Sequence, residues 1–363
     1  MSTLFQPIRF GAIAVPNRIV MAPLTRARAT REAVPTPVMA EYYRQRASAG
    51  LIISEATGIS REGLGWPFAP GLWTQAQVEG WKPVTEAVHD AGGRIAAQLW
   101  HMGRLVHPSL GGGTPVSASA TTAPDLAHTY DGKQPYGEAR AATRDDIARI
   151  LDDYAAATRN ALAAGFDGVQ IHAANGYLID QFLRSSANLR DDDYGGAPEN
   201  RIRLLFEVAE RVASVAGPER TAVRFSPNGK SQGVSDPDPV AVFVPAAAAL
   251  DRIGIAFLEL REQGPDGTFG RTDQPKVSPE IRRAFRGPLV LNQDFGLVSA
   301  QAALASGVAD AVSFGRPFIA NPDLVERFRA GLPLASDDMA TWYSQDPEGY
   351  VDYPVAEQLL AAE

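Results

Sequence analysis

Short apolar segments alternate with longer amphipathic ones along the whole of this 363-residue chain, and that alternation restricts its fold more than any other feature. Eight short segments read as strands: Ile19–Leu24, Leu51–Glu55, Arg94–Trp100, Gly168–His172, Thr221–Ser226, Ile255–Leu260, Pro288–Asn292 and Ala311–Phe314. Between them, stretches such as Thr36–Gly50, Gln75–Gly92, Arg144–Gly165 and Glu199–Ala216 carry a helical apolar repeat. In the third of these, Ile147, Ile150, Leu151, Tyr154, Ala155 and Leu162 share a face, and Gly165 stops the helix. Strand–helix alternation implies a parallel sheet, and eight units predict an α/β chain closed into a (β/α)8 TIM barrel. An open doubly wound sheet is the alternative, because spacing alone does not show closure. One barrel accommodates this length, so residues 1–363 read as a single domain. Three segments exceed the repeat: the Gly/Pro/aromatic loop Thr57–Thr74, an excursion at 101–143 after the third strand, and an aromatic-rich C-terminal segment at 331–363. The excursion is too long for a simple loop and is expected to form a cap with structure of its own.

Parallel strands covered on both faces are normally apolar throughout, and the exceptions here are ordered. In "RIAAQLW", Ile95, Ala97 and Leu99 alternate with Ala96, Gln98 and Trp100. In "GVQIH", Val169 and Ile171 alternate with Gln170 and His172; in "TAVRFS", Val223 and Phe225 alternate with Ala222, Arg224 and Ser226. Residues two apart share a face, so each strand turns an apolar row to the helices and a more polar row inward. The polar residues lie toward the C-terminal strand ends, where barrels build their sites. Any one of them alone reads as a satisfied core residue; together they predict a polar-mouthed pocket. The fourth strand then places His172, Asn175 and Tyr177 within six residues.

Composition narrows the chemistry. A net charge of −8 without a Lys/Arg-rich run argues against nucleic acid as a partner. The absence of cysteine removes disulfides, thiolate nucleophiles and cysteine-held metal or iron–sulfur centres. His172 has no His or carboxylate at ligand spacing, so no metal site is expected, and His101 and His107 read as cap residues. No G-x-S-x-G elbow, phosphate-binding P-loop or G-x-G-x-x-G strand turn is present; "NGKS" at 228–231 has Arg224 where a P-loop needs glycine. None of the four lysines lies in a predicted strand, which disfavours a Schiff base. The N-terminus lacks a signal pattern and no apolar run reaches membrane-spanning length, so a cytoplasmic location is expected. "LVLNQDFG" and "AVSFGRP" end the last two strands, where barrels of this kind bind phosphate; Gly315 and Arg316 supply close backbone approach and a forked cation.

Five motifs occur in order: "MAPLTR" (21–26), "QLWHMGR" (98–104), "HAANGYLIDQFL" (172–183), "RDDDYGGAPENR" (190–201) and "SFGRPFIANPDL" (313–324). With them the chain strongly resembles the Old Yellow Enzyme family of FMN-dependent ene-reductases over nearly its whole length, and is most similar to the bacterial 2-cyclohexenone reductases. Thr25, where a second branch has cysteine, separates it from that branch. The resemblance implies non-covalent FMN, NADPH or NADH as hydride donor, and a small activated alkene as substrate, with oligomeric state left open. Pro23, Leu24, Thr25 and Ala56 would border the flavin, Gln98 its pyrimidine edge and Arg224 its N1 side. Asn292, Gly315 and Arg316 match the phosphate region; Trp66, Trp100 and Tyr343 would line the substrate space. His172 and Asn175 would donate to the substrate oxygen, and Tyr177 would protonate the α-carbon. Some relatives have His at the position of Asn175, Leu189 replaces a common His, and "NQD" is more polar than a glycine-rich version elsewhere. Related flavin barrels with other oxidative roles, and a flavin-storing protein without turnover, are the alternatives.

Overall fold

The computed structural model describes residues 3–268 and 270–356; the end of the predicted tail, 357–363, lies outside the described residues. Eight strands close a parallel barrel: β1 (Ile19–Met21), β2 (Leu51–Gly58), β3 (Ile95–Trp100), β4 (Gly168–Ala173), β5 (Thr221–Phe225), β6 (Phe257–Arg261), β7 (Leu289–Asn292) and β8 (Ala311–Phe314). Each strand pairs with its sequence neighbours and β8 pairs with β1, which selects the closed barrel over the open sheet.

The two rows of each strand make two cores. Outward, Ile52, Leu99, Ile171, Val223, Leu258 and Val312 pack against the helices. Inward, the lower barrel is apolar, with Val20, Leu51, Ile53, Ala96, Ala222, Phe257, Val290 and Ala311. An antiparallel hairpin, Ile8–Phe10 with Ile13–Val15, plugs that end and places Phe10 4.9 Å from Phe257 between ring centres. The upper barrel interior is polar.

Several boundaries differ from the sequence reading for local reasons. The first strand stops at Met21 because Pro23 has no N–H to continue the ladder. The second runs on to Gly58, with a register shift between Ile53 and Ala56 that lets it follow β3 as far as Trp100. The helix expected over 36–50 is Pro37–Arg44, and that expected over 199–216 divides into Pro198–Arg201 and Arg203–Ala216. The excursion carries the structure its length demanded: two 3-10 turns, a short pair Val116–Ser117 with Arg140–Ala141, and a hairpin Leu126–Thr129 with Gly132–Pro135. No described helix is long and apolar enough to cross a membrane.

Buried arginines hold the C-terminal segment over the barrel mouth. Arg26 donates to the carbonyls of Trp342 (3.1 Å) and Gly349 (2.8 Å), and Arg28 to those of Thr341 and Trp342 (both 2.9 Å). The arginine spacing after β1 thereby brings the "TWY" aromatics to the site.

Removing the Phe257 ring empties the layer between hairpin and barrel. Phe257→Ala is expected to cost about 3–5 kcal/mol, read as a lower urea midpoint with the spectrum of the folded protein retained.

Candidate active site

The polar layer inside the upper barrel is one connected network. Gln98 donates to Gln170 (2.8 Å), and Gln170 donates to Glu259 (2.7 Å). Ser313 donates to the other Glu259 oxygen (2.6 Å). Arg224 Nε lies 3.4 Å from Glu259, and its Nη2 donates to Asn292 (2.8 Å). Asn292 in turn donates to the Ser313 carbonyl (2.9 Å). Glu259 has no solvent exposure, so these donors replace its hydration.

Above this layer, the segment after β4 turns sharply. Asn175 and Gly176 both take positive φ, 57° and 78°, which asparagine and glycine tolerate best. The turn is pinned at each backbone group: Asn175 N–H donates to Ser226 Oγ (2.7 Å), and Gly176 N–H to Asp180 (2.9 Å). Gln181 donates to the Gly176 carbonyl (2.7 Å) and to that of Met102 (3.1 Å), joining the turn to the cap. Asn175, Asp180 and Gln181 of "HAANGYLIDQ" thus shape one turn.

That turn sets Asn175 and Tyr177 on the lining of a cavity of about 840 Å3, within the size range of small-molecule sites, with His172 of β4 buried beside Tyr177. Tyr177 meets His172 edge to face at 4.8 Å, and meets Trp100 the same way at 4.9 Å. Burial, with the charges of Arg224 and Arg261, holds His172 well below the usual histidine range, so the imidazole is neutral. Burial, with Tyr343 and Tyr136 nearby, raises the Tyr177 phenol above its ordinary value, so it keeps its proton. The Tyr177 hydroxyl has no hydrogen-bond partner among the described residues.

Most of the residues singled out from sequence meet here. Pro23, Leu24, Thr25, Arg224, Asn292, Gly315 and Arg316 line the cavity, as do Trp66 and Tyr343, whose rings lie 5.1 Å apart. Ala56, Gln98, Trp100 and His172 are buried behind that lining. The polar atoms Trp100 Nε1 and His172 Nδ1 are buried there with no hydrogen-bond partner among the described residues. A Cβ on Gly315 would crowd Leu24 at 3.2 Å. Arg316 is already engaged: it pairs with Asp294 (3.0 Å) and donates to Thr268. Leu189 is exposed, and its segment is held by a backbone N–H to Ser119 instead of a side chain. His101 is buried in the cap and pushed down to about 3 by burial and the Arg149 charge; its Nδ1 accepts from Gly103 N–H.

Two residues that the sequence reading passes over stand at the centre. Glu259 carries the network, and Arg261 donates to Asn175 Oδ1 (2.7 Å). The alternation rule applied to "FLELR" turns Glu259 inward with Arg224 and so contains the signal; nothing in the sequence pairs Arg261 with Asn175. Burial and the nearby Arg224 pull Arg261 down to about 10, which leaves it a cation at neutral pH.

A sequence model of the NADH:flavin oxidoreductase / NADH oxidase family matches residues 3–335. The chain belongs to this family. It superposes on the old yellow enzyme homologue of Zymomonas mobilis with a TM-score of 0.96 and 66% identity, covering 97% of this chain and 99% of that one. Morphinone reductase in complex with tetrahydroNAD gives a TM-score of 0.92 at 45% identity, covering 98% of both chains. A probable flavin mononucleotide-dependent alkene reductase of Leishmania infantum is 43% identical, over 98% of both. The chain is therefore an Old Yellow Enzyme homologue, and the resemblance carried by the five motifs extends through the folded barrel.

Glu259→Leu strands Gln170, Ser313 and Arg224 in a dry interior. It is expected to lower stability by about 3–5 kcal/mol, measured by urea unfolding, whereas Glu259→Gln, which keeps an acceptor, costs less.

Proposed function

We propose that His172, Asn175 and Tyr177 reduce the activated C=C bonds of enones, enals, maleimides and nitroalkenes on a barrel loaded with FMN, using NADPH or NADH. The observation that carries this reading is that the end of β4 and the turn after it bring two neutral polar side chains, His172 and Asn175, beside a protonated phenol that has no hydrogen-bond partner among the described residues. The flavin-dependent class follows from family membership, and the similarity to an alkene reductase and to a reductase solved with tetrahydroNAD supports substrate and donor.

The cavity fits FMN by its size and by the cations Arg224 and Arg316 on its lining; Trp100 Nε1 and His172 Nδ1, buried against Tyr177, have no hydrogen-bond partner among the described residues. Pro23, Leu24, Thr25, Ala56, Gln98 and Arg224 would hold the ring, with Asn292, Gly315 and Arg316 at the phosphate. The chemistry FMN supplies when bound is acceptance of hydride from the nicotinamide and its delivery to the β-carbon of the alkene.

The chain's own residues do the rest. His172 and Asn175 donate to the substrate's carbonyl or nitro oxygen, where negative charge grows as the β-carbon is reduced. Donors already fixed in place stabilise that charge without reorganising. Tyr177 holds the proton for the α-carbon. Its raised pKa keeps the phenol protonated, and the carbon that receives the proton is a strong enough base to take it. Trp66 and Tyr343 form an aromatic part of the same cavity wall, and Trp100 backs Tyr177.

The test is an anaerobic titration followed by visible absorbance. NADPH is expected to bleach a yellow flavin spectrum and 2-cyclohexenone to restore it; protein that takes up no added FMN overturns the reading. Tyr177→Phe is expected to slow alkene reduction by about 10²–10⁴-fold while flavin reduction by NADPH survives, and equal loss in both half-reactions would remove Tyr177 as the proton donor. Because His172 titrates below and Tyr177 above neutral pH, the alkene half-reaction should show no titration limb between about pH 6 and 9. Stopped-flow rates of the reduced enzyme with 2-cyclohexenone check this.

A further inference from the structure

We infer that Arg261 is a positioning residue that fixes which end of the Asn175 carboxamide faces the substrate. The inference rests on the donor role proposed above for Asn175.

A carboxamide has an accepting and a donating end of nearly the same shape. Turned one way, Asn175 offers N–H groups to a substrate oxygen; turned the other, it offers a lone pair and repels it. The backbone does not choose between them, although the positive φ and the bond to Ser226 fix where the side chain begins. Arg261 does choose. Its guanidinium has donors only, and Nη1 lies 2.7 Å from Asn175 Oδ1. The reverse orientation would set an NH2 group against a cation, losing one charge-assisted bond and opposing two donors. With Oδ1 engaged, Nδ2 is left as the end available to the substrate.

Arg261 is itself held in direction. Its Nε donates to Gln293 Oε1 (2.8 Å), and Gln293 Nε2 donates to Asp294 Oδ2 (2.8 Å). Asp294 Oδ1 accepts from Arg316 (3.0 Å). Gln293 lies between a cation and an anion, so its oxygen must face Arg261 and its nitrogen Asp294. Its backbone, and that of Asp294, is in the positive-φ region (102° and 54°), a costly geometry for these residues that the clasp holds in place. A directed row therefore runs from Arg316 through Asp294, Gln293 and Arg261 to Asn175.

A double-mutant cycle tests this on the FMN-loaded enzyme with 2-cyclohexenone. Arg261→Met is expected to lower kcat/KM by about tenfold. In an Asn175→Gly background, chosen because glycine accepts the backbone angle, the same change should alter kcat/KM by less than about twofold. A purely structural role for Arg261 would give the same loss in both backgrounds and would overturn the inference. So would a single Arg261→Met variant with unchanged kcat/KM, while a large loss in Asn175→Gly would then leave the donor reading intact. An Asn175→Gly variant that reduces the alkene at the parent rate overturns both readings. If Arg261→Met does not fold, Gln293→Met removes the acceptor of Arg261 Nε together with the donor to Asp294 and leaves both Arg261 and Asn175 in the chain. It should lower kcat/KM in the parent and not in Asn175→Gly; equal effects in the two overturn the inference.

Discussion

Glu259 is a carboxylate without solvent exposure in the middle of a barrel, and the site is arranged around the cost of keeping it there. A buried anion needs donors on every side. Here two hydrogen bonds come from β4 through Gln170 and from β8 through Ser313, and β5 adds the charge of Arg224, whose Nε lies 3.4 Å away. Meeting that demand fixes the rotamers of side chains from several strands at once. Gln98 is set through Gln170, and Asn292 through Arg224. The polar floor of the cavity is therefore held by its own hydrogen bonds, as a site must be if its dipoles are to act without reorganising.

The turn after β4 lies above that floor. Its geometry requires a residue tolerant of positive φ followed by a second one, and "NG" meets both demands. Asparagine and histidine are among the residues that visit this region most readily. Both can also donate a hydrogen bond. Backbone tolerance and donor chemistry thus select the same short list. Asp180 and Gln181, in the helix that follows, satisfy the backbone groups that the bend exposes.

The mouth depends on segments remote in sequence. Arg26 and Arg28 bind carbonyls more than three hundred residues further along the chain, and this is what brings Tyr343 opposite Trp66. The expectation that Arg316 would serve a phosphate is met by an arginine already paired with Asp294, the last residue of the "NQD" segment. Asp294 is near in space because β7 and β8 end side by side.

By itself the sequence determined the strand–helix alternation of a parallel α/β fold, the inward and outward rows and the turn after β4. All three are local: a period of two along strands, an apolar repeat along helices, and residue types that accept one unusual backbone region. Strand ends were legible only to within a few residues, since a proline or a register shift acts through hydrogen bonds to a neighbour. The tertiary structure alone decided the partners. Asn175 and Arg261 are 86 residues apart and lie on strand ends separated by β5. Whether such residues meet depends on the stagger with which the barrel closes, which no local pattern encodes. Closure also sets the depth at which His172 and Tyr177 lie, and burial is what keeps one neutral and the other protonated.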